Sequence, residues 1–60
     1  MIDKTHLQTM AKDIQKMRRL AEHLQETGKG IESIERNMTR ILSSIRLLEM
    51  NVTDVAKIVE

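Results

Sequence analysis

The fold is decided by residues 31–59, which read IESIERNMTRILSSIRLLEMNVTDVAKIV. Aliphatic residues recur in this stretch in alternating steps of three and four, without a miss over about four heptads. This spacing places them on one stripe of an α-helix, at positions a and d of a heptad repeat. The stripe comprises Ile31, Ile34, Met38, Ile41, Ile45, Leu48, Val52, Val55 and Val59.

A shorter stripe of the same kind precedes it. Its aliphatic residues are Leu7, Met10, Ile14, Met17, Ala21 and Leu24. Gly28-Lys29-Gly30 separates the two stripes, and glycine is favoured where a helix ends in a turn. We therefore expect one domain over residues 1–60, with a helix over about 4–27, a turn at 28–30 and a second helix over about 31–59. Thr5 with Gln8 could form a capping box, and Asp3 offers an earlier start.

The phase of the two stripes bears on how the helices connect. If Leu7, Ile14 and Ala21 occupy position a, the register reaches Ile31 at d, whereas the second stripe needs Ile31 at a. The mismatch of three residues fits a hairpin, in which the two stripes need not share a phase. One long helix with a three-residue stammer is the alternative, but two interior glycines would then cost about 1 kcal/mol each relative to alanine. The hairpin is favoured.

Composition predicts that the chain self-associates. A 60-residue chain buries only about 60% of its unfolded surface when it folds alone, and this one has no cysteine to form a disulfide. The second stripe has nine seam positions against six in the first. We expect an all-α fold in which two hairpins form a homodimeric four-helix bundle, a coiled-coil arrangement. A trimer of long continuous helices and a complex with a different helical subunit are the alternatives.

Several classes of function are disfavoured by what the sequence lacks. Ten basic and nine acidic residues leave a net charge of +1, so charge indicates no particular partner. Apolar runs are too short to span a bilayer, and the N-terminus does not read as a secretory signal, so we expect a cytoplasmic protein without a membrane partner. His6 and His23 lack the spacing of a metal site. Helices joined through aliphatic seams offer no polar pocket, so we expect no enzymatic activity, cofactor, metal or small-molecule substrate.

Two outward surfaces are candidates for binding. Leu47 and Met50 fall at positions c and f, away from the seam, and form a candidate partner patch, although pairs of exposed apolar side chains are ordinary. Lys12, Lys16 and Arg19 form a candidate nucleic-acid ridge, with Arg18 beside it. The simpler interpretation of this ridge is a solvated helix face, because acidic residues are interspersed and no aromatic residue is available to stack on a base.

The leading functional hypothesis is a non-enzymatic protein–protein interaction module, a regulator or assembly adaptor, that dimerises through its seams. A charge at Ile41 or Ile45 is expected to abolish folding and association together. The alternative is a dimeric RNA- or DNA-binding regulator that uses the ridge on helix 1. A third hypothesis is that the chain is the oligomerisation segment of a longer protein. The initial Met1 favours a complete small protein instead.

Overall fold

The computed structural model describes residues 3–59, with side chains up to Ile58, as two α-helices that fold back on each other. Helix α1 spans Lys4–Thr27 and helix α2 spans Glu32–Val59. The hairpin is about 44 Å long and 15 by 14 Å in cross-section. The predicted all-helical hairpin is confirmed, and the alternative of one helix running through the glycines is wrong. The trimer alternative assumed continuous helices, which the described residues do not form.

Asp3 caps the start of α1. Its Oδ1 atom accepts a hydrogen bond from the backbone N–H of His6 at 2.9 Å, which satisfies one of the free donors in the first turn. The predicted Thr5–Gln8 capping box is wrong, and the earlier start at Asp3 is correct. Thr5 already lies within the helix, where its carbonyl oxygen accepts from the Thr9 hydroxyl at 3.0 Å. A carboxylate is also favoured at the positive end of the helix dipole.

A β-turn over residues 28–31 joins the helices. The carbonyl oxygen of Gly28 accepts a hydrogen bond from the N–H of Ile31 at 3.0 Å. Gly30 has a φ of +94°, a backbone conformation that residues with a Cβ rarely adopt. Gly28 is needed for a different reason. A Cβ there would lie 2.6 Å from Ile34 Cγ2 and 2.9 Å from the Leu24 carbonyl oxygen. The turn therefore needs both glycines, one for conformation and one for space.

The first turn of α2 is tied to this connection. The Glu35 carboxylate accepts from the N–H of Gly30 at 2.8 Å, and the Ile31 carbonyl accepts from the N–H of Glu35 at 3.0 Å. Acidic Glu32 and Glu35 also suit the positive end of the helix dipole. The second helix thus begins at Glu32, one residue after the predicted restart.

The core of the hairpin is formed by position a of both heptad repeats. Ile14 and Ala21 of α1 lie against Met38 and Ile45 of α2, and all four are buried, as is Leu7. Partly buried residues pack around this cluster, namely Ile34, Leu42 and Val52. Leu42 occupies position e and Ile34 position d, so the helices contact each other mainly through a, with e in the middle of α2 and d beside the turn.

Candidate interaction surface

An apolar face remains uncovered along one side of the hairpin. It is formed by the d positions and one g position of α1 and by d positions of α2, and large fractions of these side chains are exposed. We call this surface the open face, and it consists of Met10, Met17, Leu20, Leu24, Ile41 and Leu48. The seam predicted as one stripe is thus divided, because position a is buried within the hairpin and position d lies largely on the open face.

A groove runs along the open face between the helices, with a volume of about 470 Å³. Leu20 and Leu24 of α1 line one wall, and Ile41 and Leu48 of α2 line the other. Ala21, which is buried and small, lies between the walls. The lining is almost entirely aliphatic, with Ser44 and Arg40 as its polar members. Such a surface offers apolar contact and lacks the convergent polar groups of a catalytic site.

Charge lies on the opposite side of the hairpin, at position e of both helices. The Arg18 guanidinium donates two hydrogen bonds to the Glu49 carboxylate, one of them from Nε to Oε2 at 2.9 Å. These hydrogen bonds lower the pKa of Glu49 below its ordinary value and raise the pKa of Arg18. A bidentate ion pair thus fixes the relative height of the helices on this side.

The same contact corrects the prediction that Arg18 lies beside the basic ridge. Arg18 is half-buried and turned toward α2, with Glu22 at 4.0 Å as a second carboxylate neighbour. Lys12, Lys16 and Arg19 are exposed on the outer side of α1, and none forms an ion pair with another residue of the described part of the chain. The ridge therefore consists of these three cations without Arg18.

The predicted partner patch lies on the outer side of α2. Leu47 and Met50 are more than half exposed, at 59% and 56%. They lie away from the groove, whereas the neighbouring Leu48 lines it. Leu47 and Met50 therefore form an apolar patch that is separate from the open face.

The remaining seam residues lie in three kinds of surroundings. Ile31 is half exposed because it belongs to the turn rather than to α2. Val55 is partly buried near the open end of the hairpin. The side chain of Val59 lies outside the described residues.

Leu20 and Glu49 take part in these surfaces but lie outside the predicted stripes and patches. Leu20, at position g, is 67% exposed at the edge of the groove and extends the open face beyond the predicted stripe. Glu49, at position e, is the partner of Arg18. The available signal was their flanking heptad positions, since e and g residues border the seam of a helix pair.

Comparison with known proteins finds no family, curated protein or solved structure that matches the chain. Neither helix, within residues 3–59, contains a stretch long and apolar enough to cross a bilayer. The same residues hold no group of three acidic or histidine side chains arranged for a metal ion. The geometry of the hairpin itself is therefore the basis for any functional proposal.

Proposed function

We propose that this protein is a self-associating interaction module whose open face is covered by a second copy of the chain. The observation that carries this proposal is the burial pattern. The buried core residues lie at position a, while five d-position residues of the two helices remain 37–54% exposed, namely Met10, Met17, Leu24, Ile41 and Leu48. In a four-helix bundle each helix contacts two neighbours, so both positions are buried only when a second hairpin is added. The second copy supplies the missing neighbours.

The size of the open face suits such a dimer. The open face spans about 20 Å along the 44 Å hairpin, at 1.5 Å per residue from Met10 to Leu24, so its footprint is roughly 300 Å² for a width of 15 Å. A specific interface buries about 800 Å² of each partner, and the accessible surface of a ridged face exceeds its footprint. Exposed apolar patches of several hundred Å² are uncommon on monomers and mark interaction sites. The available area therefore supports an interface at the small end of the usual range.

The chemistry of the face favours a copy of itself over a charged partner. Its six members are all aliphatic side chains, and the Arg18–Glu49 ion pair lies on the opposite side. Depletion of charge is typical of the buried centre of an interface. A two-fold dimer presents the same surface twice, so a mainly aliphatic face, with Arg40 as the charged residue that lines its groove, meets one of equal composition.

Two adjacent leucines provide a matched test. Leu48 lies on the open face and Leu47 on the outer side of the same helix, so Leu48→Asp and Leu47→Asp make the same chemical change at neighbouring positions. In sedimentation equilibrium we expect the unmodified chain and Leu47→Asp to be dimers and Leu48→Asp to be a monomer. The melting temperature of the unmodified chain should rise with protein concentration, because folding is coupled to association.

The proposal fails if the unmodified chain sediments as a monomer at high micromolar concentration with a melting temperature independent of concentration. It also fails if both aspartate variants remain dimers with unchanged affinity. The concentration dependence of the unmodified chain is informative even if Leu48→Asp is too unstable to fold.

A dimer of this kind would leave the outer patch of Leu47 and Met50 uncovered, on one side of each copy. This supports a role as a regulator or assembly adaptor, in which the bundle is a scaffold and the outer patch contacts another protein. Methionine suits such contacts because its side chain adapts to irregular surfaces. Leu47→Asp should then weaken capture of that partner while leaving the dimer intact.

Nucleic-acid binding is a second candidate, favoured by one observation. Lys12, Lys16 and Arg19 are exposed and unpaired within the described residues, whereas Arg18 is engaged by Glu49. Two copies of the ridge in a dimer would double a patch that is weak alone. Phosphate binding of this kind weakens steeply with salt, whereas an aliphatic interface does not.

A further inference from the structure

Resting on the proposed dimer, we infer that α1 of each copy packs against α2 of the other copy, with Leu20 of one lying over Ser44 of its partner. Both residues occupy position g, and both line the groove. The turn between Gly28 and Ile31 and the Arg18–Glu49 pair fix the register of the helices, so Leu20 and Ser44 lie within one helical turn of the same height, on opposite edges of the open face. This places the two g rows where a second hairpin would contact them.

A two-fold dimer of hairpins has two arrangements. If the symmetry axis runs parallel to the helices, α1 faces α2 of the second copy and equal heights meet. If the axis lies across the helices, α1 faces α1 and α2 faces α2, with heights reversed. Both arrangements make every neighbouring pair of helices antiparallel, so helix direction does not distinguish them. The side chains at position g do.

The first arrangement matches side chains by size. The large, 67% exposed Leu20 meets the small Ser44, and symmetry repeats this pair on the other side of the bundle. In the second arrangement Leu20 meets Leu20 or Asp13, depending on register. The Leu20–Leu20 pairing places two large side chains on the α1 side of the bundle and leaves small ones on the α2 side. The Leu20–Asp13 pairing sets a carboxylate against an apolar side chain. Alternation of large and small residues across facing positions gives the denser core.

The polar members of the g rows agree with this choice. In the first arrangement Asp13 of α1 lies at the height of Asn51 in the second copy, and Thr27 at the height of Asn37. All four are exposed in the hairpin. The amide of an asparagine can donate to a carboxylate or a hydroxyl oxygen, so both pairs can be satisfied by hydrogen bonds. Two polar pairs and the Leu20–Ser44 pair are then matched, while the fourth g pair sets His6 against the 83% exposed Ile58 near the open end of the hairpin.

The chain has no cysteine, so single cysteine variants report proximity without background. We would prepare Leu20→Cys and Ser44→Cys, mix them, allow the copies to exchange, and treat the mixture with a short bis-maleimide. Mass spectrometry distinguishes the three crosslinked products. We expect the mixed product, one chain of each variant, to predominate. Leu47→Cys, on the outer side, should give no crosslinked dimer.

Predominant crosslinking of Leu20→Cys to itself would overturn the inference in favour of the second arrangement. A mixture that sediments as a dimer but yields no mixed product would also overturn it. If the unmodified chain sediments as a monomer, the proposed function itself is wrong, and this is a separate outcome. Sedimentation of each variant before crosslinking therefore tells these failures apart.

Discussion

Arg18 of α1 and Glu49 of α2 form the cross-helix ion pair of the described residues, with two hydrogen bonds between the guanidinium and the carboxylate. The pair lies on the side of the hairpin opposite the open face. One side of the helix pair is thus bridged by an ion pair, while the other side exposes mainly aliphatic side chains. This asymmetry distinguishes the surface that stabilises the hairpin from the surface available to a second copy.

The ion pair predicts acid sensitivity. Since the pKa of Glu49 is lowered in the folded chain, its contribution to stability is complete above the ordinary pKa of 4.5 and is lost as the pH falls through the lowered value. We expect Glu49→Gln to be less stable than the unmodified chain at pH 7, and the difference between them to shrink toward pH 3. Urea denaturation across this range measures it. A difference that stays constant with pH would contradict the prediction.

Gly30 should tolerate asparagine better than alanine. Its φ of +94° is strained for a residue with a Cβ, by about 1–2 kcal/mol, and asparagine adopts positive φ more readily than alanine. We expect Gly30→Ala to lower the free energy of unfolding by about that amount and Gly30→Asn by less. Chemical denaturation of both variants checks the order. Equal losses would mean that the turn does not depend on this φ.

Any side chain larger than hydrogen at Gly28 should destabilise the hairpin. An added Cβ would lie 2.9 Å from the Leu24 carbonyl oxygen, which belongs to the helix backbone and cannot rotate away. We expect Gly28→Ala to destabilise the chain by about 1–3 kcal/mol, as overpacking of a tight contact does. Circular-dichroism melts compare it with Gly30→Asn as the control. A midpoint equal to that of the control would show that the turn relaxes easily.

The structure separates two substitutions that the sequence treats alike. Ile45 is 4% exposed in the core, whereas Ile41 is 44% exposed on the open face. We expect Ile45→Asp to lose its helical spectrum, because a buried unpaired carboxylate is highly unfavourable. Ile41→Asp should retain a helical spectrum in the cold but sediment as a monomer. Loss of helix in both variants, or in neither, would contradict this division.

The basic ridge gives a prediction that separates the two candidate functions. Replacement of Lys12, Lys16 and Arg19 by glutamine should leave self-association unchanged, because these residues are exposed away from the open face. If the chain binds nucleic acid, the same variant should lose affinity for a short RNA and show a shallower salt dependence. Fluorescence anisotropy at several salt concentrations measures both. Retained, salt-independent affinity would exclude the ridge as the binding surface.

Heptad spacing is enough to predict the two helices because it depends on local periodicity alone. The glycines at 28 and 30 predict the turn for the same reason, since the backbone freedom of glycine is a local property of the residue itself. The sequence leaves the start open between Asp3 and Thr5, because several polar residues near a helix end can cap it. These features need no knowledge of what the helices touch.

The sequence by itself determined that aliphatic stripes run along two helices on either side of a turn. Only the tertiary structure decided which half of each stripe is buried, because that depends on how far each helix is rotated about its own axis. In the observed rotation, positions a and e face the other helix. Three contacts go with this rotation: those of Ala21 and of Gly28, and the Arg18–Glu49 pair. Heptad spacing is compatible with several such rotations, and packing of the two helices against each other selects one.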